Sequence, residues 1–245
     1  MVLGIFGDSF GSWLPGGDDS SGIPLDFSWP SLLSKKLKAA CLNYAQGGSS
    51  LFYSYNMFLE HADRCDVIIF LCTNPGRYTK PMLFEKALPS RIHPNGLLTV
   101  EHFLKRKEIT DQERIRLEWL KGFYLMQDFD WENTACNLLV DHLLAKHPNV
   151  IYVPCFNFYK DKLSSNISMQ DIMDYQLDKL NAPIKMPDFT QKYAETNNIS
   201  CHFTPEANQF VADCMFKSIE NGKWTIEDNY NIDFEHDLSY YYKKI

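Results

Sequence analysis

Val2-Leu3-Gly4-Ile5-Phe6 runs without a polar residue into Gly7-Asp8-Ser9-Phe10. A short apolar run bounded by turn residues reads as a buried strand. Gly, Asp and Ser directly after it put a hydroxyl at the strand's carboxyl end, where open α/β sheets bind their ligands. Ser9 is therefore the first nucleophile candidate. Gly-Asp-Ser is equally ordinary turn chemistry, so the weight of Ser9 depends on the other groups the chain supplies.

Strand and helix signals alternate from there. A Gly/Pro/Asp/Ser-rich stretch to Pro24 reads as a long surface loop, and Trp29-Pro30 opens a helix through about Ala40 with Leu32, Leu33 and Leu37 on one face. Leu42-Asn43-Tyr44-Ala45 is a short strand ended by Gly47-Gly48-Ser49-Ser50, and a helix follows. Val67-Ile68-Ile69-Phe70-Leu71-Cys72 is the clearest buried strand and stops at Thr73-Asn74-Pro75-Gly76-Arg77. Periodicity is lost over about 77–109, which reads as an insertion over the carboxyl edge. Thr110-Asp111-Gln112-Glu113 is a capping box, and helical periodicity runs with interruptions to Lys146. Val150 to Pro154 is another strand, and Thr204 caps a helix from Pro205 to about Ile219 with Phe210, Val211, Cys214 and Met215 as its apolar face. This order predicts an α/β fold with a parallel sheet covered on both faces. A single domain over 1–222 and a C-terminal tail over 223–245, packed on the domain or extending from it, complete the expected organisation.

Composition narrows the function classes. A chain of 245 residues with 45% hydrophobic residues can bury one full core without dividing. Neither a basic leader nor an apolar run of about 18 residues is present, so a cytoplasmic protein without a membrane span is expected. Cysteines stand at 41, 65, 72, 136, 155, 201 and 214, with no Cys-x-x-Cys pair, which favours reduced, packed thiols. A net charge of −7 speaks against a nucleic-acid surface, and Lys35-Lys36-Leu37-Lys38 reads as a solvated helix face. His61, His93, His102, His142, His147 and His236 show no paired ligand spacing, so no metal is expected. The absence of Gly-x-Gly-x-x-Gly and Gly-x-x-x-x-Gly-Lys-Ser/Thr disfavours a phosphate or flavin binder, so no cofactor is expected.

The strand-edge segments carry the chemistry. Acyl transfer by a serine needs a base for the hydroxyl proton and donors for the oxyanion. Gly48 can bring a backbone N–H close to a substrate, Asn74 offers a neutral amide donor, and His202 stands at a late strand-to-helix junction in Cys201-His202-Phe203-Thr204-Pro205. Each also has a plainer explanation, as a turn residue or a residue preceding a helix cap.

The ordered set resembles the SGNH (GDSL-type) hydrolases. Gly7-Asp8-Ser9 is similar to their first block, and Asn43-Tyr44-Ala45-Gln46-Gly47-Gly48 to the second, an Asn before an oxyanion-hole Gly. Thr73-Asn74-Pro75 matches the third with Pro75 where Asp is usual, and Cys201-His202-Phe203-Thr204-Pro205-Glu206-Ala207-Asn208 resembles the last. The resemblance implies a flavodoxin-like three-layer α/β/α sandwich and hydrolysis of an ester, often an acetyl or acyl ester on a sugar or lipid. Ser9 would be the nucleophile and His202 the base, with Ser9 N–H, Gly48 N–H and the Asn74 side chain as the oxyanion hole. The expected partner is a small-molecule or carbohydrate ester. Arg77 either holds an acidic substrate group or makes a structural ion pair.

One position departs from that pattern. The family places Asp three residues before the catalytic His, and here Ile199 stands there, unable to orient an imidazole. A backbone carbonyl, Asn197 or Asn198 could orient His202 in a dyad; Asp188 or Glu195 could substitute; or hydrolysis is lost and the site only binds an acylated ligand.

Overall fold

Side chains alternate across a strand, and in β1 (Val2–Phe6) both alternating sets are apolar, which demands cover on both faces. The computed structural model describes residues 1–12, 28–47, 49–75, 104–105, 109–125, 129–179, 203–224, 226 and 230–232. Within them β1, β2 (Ala40–Asn43), β3 (Val67–Cys72) and β4 (Ile151–Pro154) form one sheet in the order β2-β1-β3-β4. All three pairings are parallel, with Ile5 opposite Asn43, Phe6 opposite Phe70, and Cys72 opposite Pro154.

Six α-helices accompany the sheet among the described residues: α1 (Trp29–Leu37), α2 (Leu51–His61), α3 (Asp111–Leu125), α4 (Phe129–Lys146), α5 (Met169–Lys179) and α6 (Pro205–Asn221). Leu3, Ile5, Ile69, Leu71, Ile151 and Val153 join one core with Trp29 and Leu33 of α1, Ile172 of α5, and Val211 and Met215 of α6. Phe6, Phe70, Cys72 and Tyr152 join a second core with Leu51 and Phe58 of α2 and with Cys136, Val140 and Leu143 of α4. The two cores on opposite faces make the molecule a three-layer α/β/α sandwich with a flavodoxin-like strand order, as expected from sequence. Each large apolar side chain fully withdrawn from water stabilises by roughly 1.5–3 kcal/mol, so strands this short are held chiefly by the layers above and below them.

Several boundaries differ from expectation. The first helix stops at Leu37 because Lys38 takes a left-handed conformation (φ 50°), its N–H and that of Ala39 returning to the carbonyls of Lys35 and Ser34. That early stop lets Ala40 pair with Val2, so β2 begins two residues before Leu42 and ends at Asn43. Helix α6 continues to Asn221, where Gly222 (φ 73°) caps it. Helix α5 was not expected at all. Its start is fixed by Asp171, which accepts hydrogen bonds from Ser168 N–H and Oγ and pairs with Lys160 Nζ at 2.9 Å. Downstream, Trp224 and Ile232 lie in the first core, with the Trp224 indole N–H donating to Ile167 O at 3.0 Å.

Cys41, Cys65, Cys72, Cys136, Cys155 and Cys214 are free thiols. No helix among the described residues is long and apolar enough to cross a membrane. The loop from residue 13 to 27, nearly all of the 77–109 insertion and the tail from 233 onward lie outside the described residues.

Gly7 ends the first strand at φ 156°, and a Cβ built there would stand 2.4 Å from Leu71 Cβ. Both the dihedral and the approach of β3 exclude a side chain. Gly7→Ala is expected to lower unfolding free energy by about 3 kcal/mol, from the disfavoured φ and the overpacking together. Equilibrium urea unfolding measures it.

Candidate active site

Beyond Gly7 the chain turns over residues 8–11, Gly11 N–H donating to Asp8 O at 3.0 Å. Asp8 points inward and is fully buried, whereas Ser9, at the tip of the turn, is half-buried. The Asp8 carboxylate accepts Phe10 N–H at Oδ1 (3.0 Å), Thr73 Oγ1 at Oδ2 (2.6 Å) and the Cys155 thiol at Oδ1 (3.4 Å). One side chain thereby joins the ends of β1, β3 and β4. Asn43, the last residue of β2, adds a fourth tie: its Nδ2 donates to Gly11 O at 2.8 Å and its Oδ1 accepts Ala45 N–H at 2.9 Å. Burial first, and the Asp8 carboxylate second, push the Cys72 thiol above its ordinary range, so this cysteine stays neutral.

The strand order puts one other candidate, Asn74, at the same edge as Ser9. In a β2-β1-β3-β4 sheet the connections leave β1 and β3 in opposite directions, and the crevice opens between their carboxyl ends. Ser9 follows β1 and Asn74 follows β3, and the two strands are in register through Phe6 and Phe70. Asn74 is half-buried between buried Thr73 and Pro75, so its amide belongs to the same edge as Ser9. The turn before α2 is fastened beneath this edge, since Gln46 N–H and Ser49 Oγ both donate to Gly7 O, at 3.0 and 2.8 Å. Ser50 then caps α2 by accepting Tyr53 N–H at 3.1 Å. Gly48, Arg77 and His202 lie outside the described residues, as do Asp188, Glu195, Asn197, Asn198 and Ile199.

The segment that follows His202 is described and meets the Ser9 turn. Phe10 is almost fully buried, with ring centroids 5.8 Å from Phe203 and 5.5 Å from Phe156. Thr204 caps α6, its hydroxyl accepting Ala207 N–H at 3.3 Å, while its own N–H donates to Gln176 Oε1 of α5 at 3.1 Å. Asn208 accepts Trp29 N–H at 2.9 Å and donates to the carbonyls of Phe203 (3.0 Å) and Thr204 (3.1 Å). The Trp29 indole N–H in turn donates to Phe10 O at 2.6 Å.

Thr73 and Asn208 fall within the quoted motif blocks and Trp29 at a helix start, but the sequence marks neither them nor Gln176 as site residues. Asn208 carried a signal nonetheless: it falls on the apolar stripe of α6, in step with Val211 and Met215, where an amide is out of place unless fully hydrogen-bonded.

No protein-family model matches the sequence, and no curated protein matches it. Among solved structures the chain is similar to an acetyl xylan esterase, AlAXEase, at 14% identity and a TM-score of 0.37, over 89% of this chain and 100% of that one. It is also similar to a protein assigned to the G-D-S-L lipolytic family from Desulfitobacterium hafniense DCB-2, at 13% identity and a TM-score of 0.35, over 88% of this chain and 98% of that one. The α/β/α architecture is carried by the sheet order and the two cores themselves.

Thr73→Val keeps the side-chain shape and removes one donor from the buried Asp8 carboxylate. Its expected effect is a loss of about 2 kcal/mol, the range for a hydrogen bond to a charged group. In a double-mutant cycle followed by urea unfolding, the same substitution should have much less effect on an Asp8→Ala background.

Proposed function

We propose that this chain is a serine esterase of the SGNH type, hydrolysing an O-acetyl or short acyl ester, with a carbohydrate ester as the favoured substrate class. The observation that carries the reading is the meeting, at one sheet edge, of the Ser9 turn, Asn74, Gln46 and Ser49 ahead of α2, and the Phe203 segment. In the proposed reaction His202 takes the Ser9 hydroxyl proton as Oγ bonds to the ester carbonyl carbon. The oxyanion is received by Ser9 N–H, Gly48 N–H and the Asn74 amide. Collapse breaks the bond to the alcohol oxygen, which leaves with the proton from the imidazolium. Water then repeats the sequence, its proton passing to His202 and its oxygen to the acyl carbon, and Ser9 is released with the carboxylic acid. The site supplies this chemistry from its own side chains and backbone, without a cofactor. Arg77, which follows Asn74 closely in sequence, would either make a structural ion pair or receive an acidic substituent of the substrate.

A second reading is favoured by one residue. With Ile199 where an orienting carboxylate is usual, the same groups would bind an acylated ligand without cleaving it. Loss of that carboxylate lowers rate by about 10⁴ in serine proteases while leaving catalysis above background, so weak turnover fits the esterase and none fits the binder.

A fluorophosphonate probe separates the two. The esterase is expected to be labelled at Ser9, with labelling abolished by Ser9→Ala; no labelling anywhere between about pH 6 and 9, where an imidazole base is active, supports the binding module. With p-nitrophenyl acetate, Asn74→Ala should reduce kcat by about 10²–10³, the usual loss for one oxyanion donor.

A further inference from the structure

We propose that Trp29 and Asn208 are positioning residues that fix the Ser9 turn against Phe203 and Thr204, the residues that follow His202 in sequence; this rests on the esterase reading above. Both side chains are fully buried. Trp29 uses its two N–H groups in two directions. The indole donates to Phe10 O, one residue past Ser9, and the main chain donates to Asn208 Oδ1. Asn208 continues the path, its amide nitrogen donating to the carbonyls of Phe203 and Thr204, one and two residues past His202. The nucleophile turn and the base segment are thus joined by an unbroken run of buried hydrogen bonds through two side chains.

The chemistry of the pair is specific. An amide is the side chain that accepts from Trp29 N–H on one atom while donating to two carbonyls from the other; a carboxylate cannot donate and an aliphatic group can do neither. The Trp29 N–H is one of the unpaired donors of the first turn of α1, and Ser28, at the cap position, makes no side-chain hydrogen bond to it. Asn208 supplies that cap from another helix, so the start of α1 is docked on the start of α6. The Phe10 and Phe203 rings, 5.8 Å apart, fill the space beside the polar path. Both ends of the hydrogen-bond path terminate on backbone carbonyls of residues next in sequence to those proposed to exchange a proton, so the strut bears on the reaction as well as on stability.

The test uses the full chain and p-nitrophenyl acetate, with Trp29→Phe to remove the indole donor together with its pyrrole ring, and Asn208→Asp to keep the acceptor for Trp29 N–H while replacing the amide donors with a carboxylate oxygen. A misplacement of reacting groups by about 1 Å lowers rate by roughly 10²-fold. The expected result is therefore a fall of that order in kcat with KM changed less than about twofold, and a matching fall in fluorophosphonate labelling rate, in variants that still unfold cooperatively. A merely structural role would lower the unfolding midpoint and leave kcat of the folded protein unchanged, and that outcome overturns the proposal while the esterase reading stands. A wild-type protein that neither labels nor turns over removes the esterase reading and the proposal with it. If the variants do not fold, the Trp29 indole ¹H–¹⁵N signal of the unsubstituted protein decides. It should be slow to exchange with solvent and shift when Ser9 is phosphonylated, and an unmoved signal overturns the strut.

Discussion

Asp8 holds a fully buried carboxylate between the ends of three parallel strands, where only donated hydrogen bonds make a charge tolerable. The donors come from Phe10 in its own turn, from Thr73 beyond β3 and from Cys155 beyond β4. Each is fixed by the element that carries it, so the carboxylate works as a knot for the whole carboxyl edge. With Asp8 buried beneath the edge, the next residue of the turn, Ser9, stays half-buried. The exposure of the candidate nucleophile is thereby tied to the solvation needs of its neighbour.

Around that knot the polar residues divide their work. Asn43 and Ser49 hold the backbone on either side of the Ser9 turn, through Gly11 O and Gly7 O. Trp29, Asn208 and Gln176 hold the segment that leads from His202 into α6. Ser49, Trp29, Asn208 and Gln176 are buried and Asn43 is half-buried, and an amide or hydroxyl buried in this way stabilises only while its bonds are kept. Ser9 and Asn74 are half-buried at the same edge. Side chains that hold the backbone beneath candidate reacting groups are what a site held by its scaffold requires.

Much of the fold was legible in the sequence because burial on both faces writes itself as continuous apolar runs. Val67 to Cys72 and Val2 to Phe6 are strands in the structure as read, and Thr204-Pro205 starts a helix as its cap chemistry demands. Where the reading slipped, a long-range contact had decided. Strand β2 begins at Ala40 because it pairs with Val2, and Leu42 to Ala45 looked the better strand only in isolation. Helix α5 escaped notice because its acids, Asp171, Asp174 and Asp178, interrupt a short apolar stripe that becomes convincing only once Met169, Ile172 and Met173 meet the sheet. Of the candidate site, Ser9 and Asn74 were legible as the residues after two buried runs. Thr73 was not, since a hydroxyl after a strand has no meaning until its partner is known, and the position of Asn208 on an apolar stripe marks it as hydrogen-bonded without saying to what.

The sequence by itself determined that Val2 to Phe6 and Val67 to Cys72 are buried strands and where both stop, and hence that Ser9 and Asn74 stand at strand ends, because local patterning encodes burial and turn formation directly. Only the tertiary structure decided that β1 lies beside β3, which puts those two residues at one crevice instead of at separate edges. It also decided that Asp8 is satisfied by groups 65 and 147 positions away, and that Trp29 is capped by a residue 179 positions further on. Hydrogen bonds over such separations leave no periodicity in the chain. They exist because a buried polar group must find a partner, and which partner it finds is settled by packing.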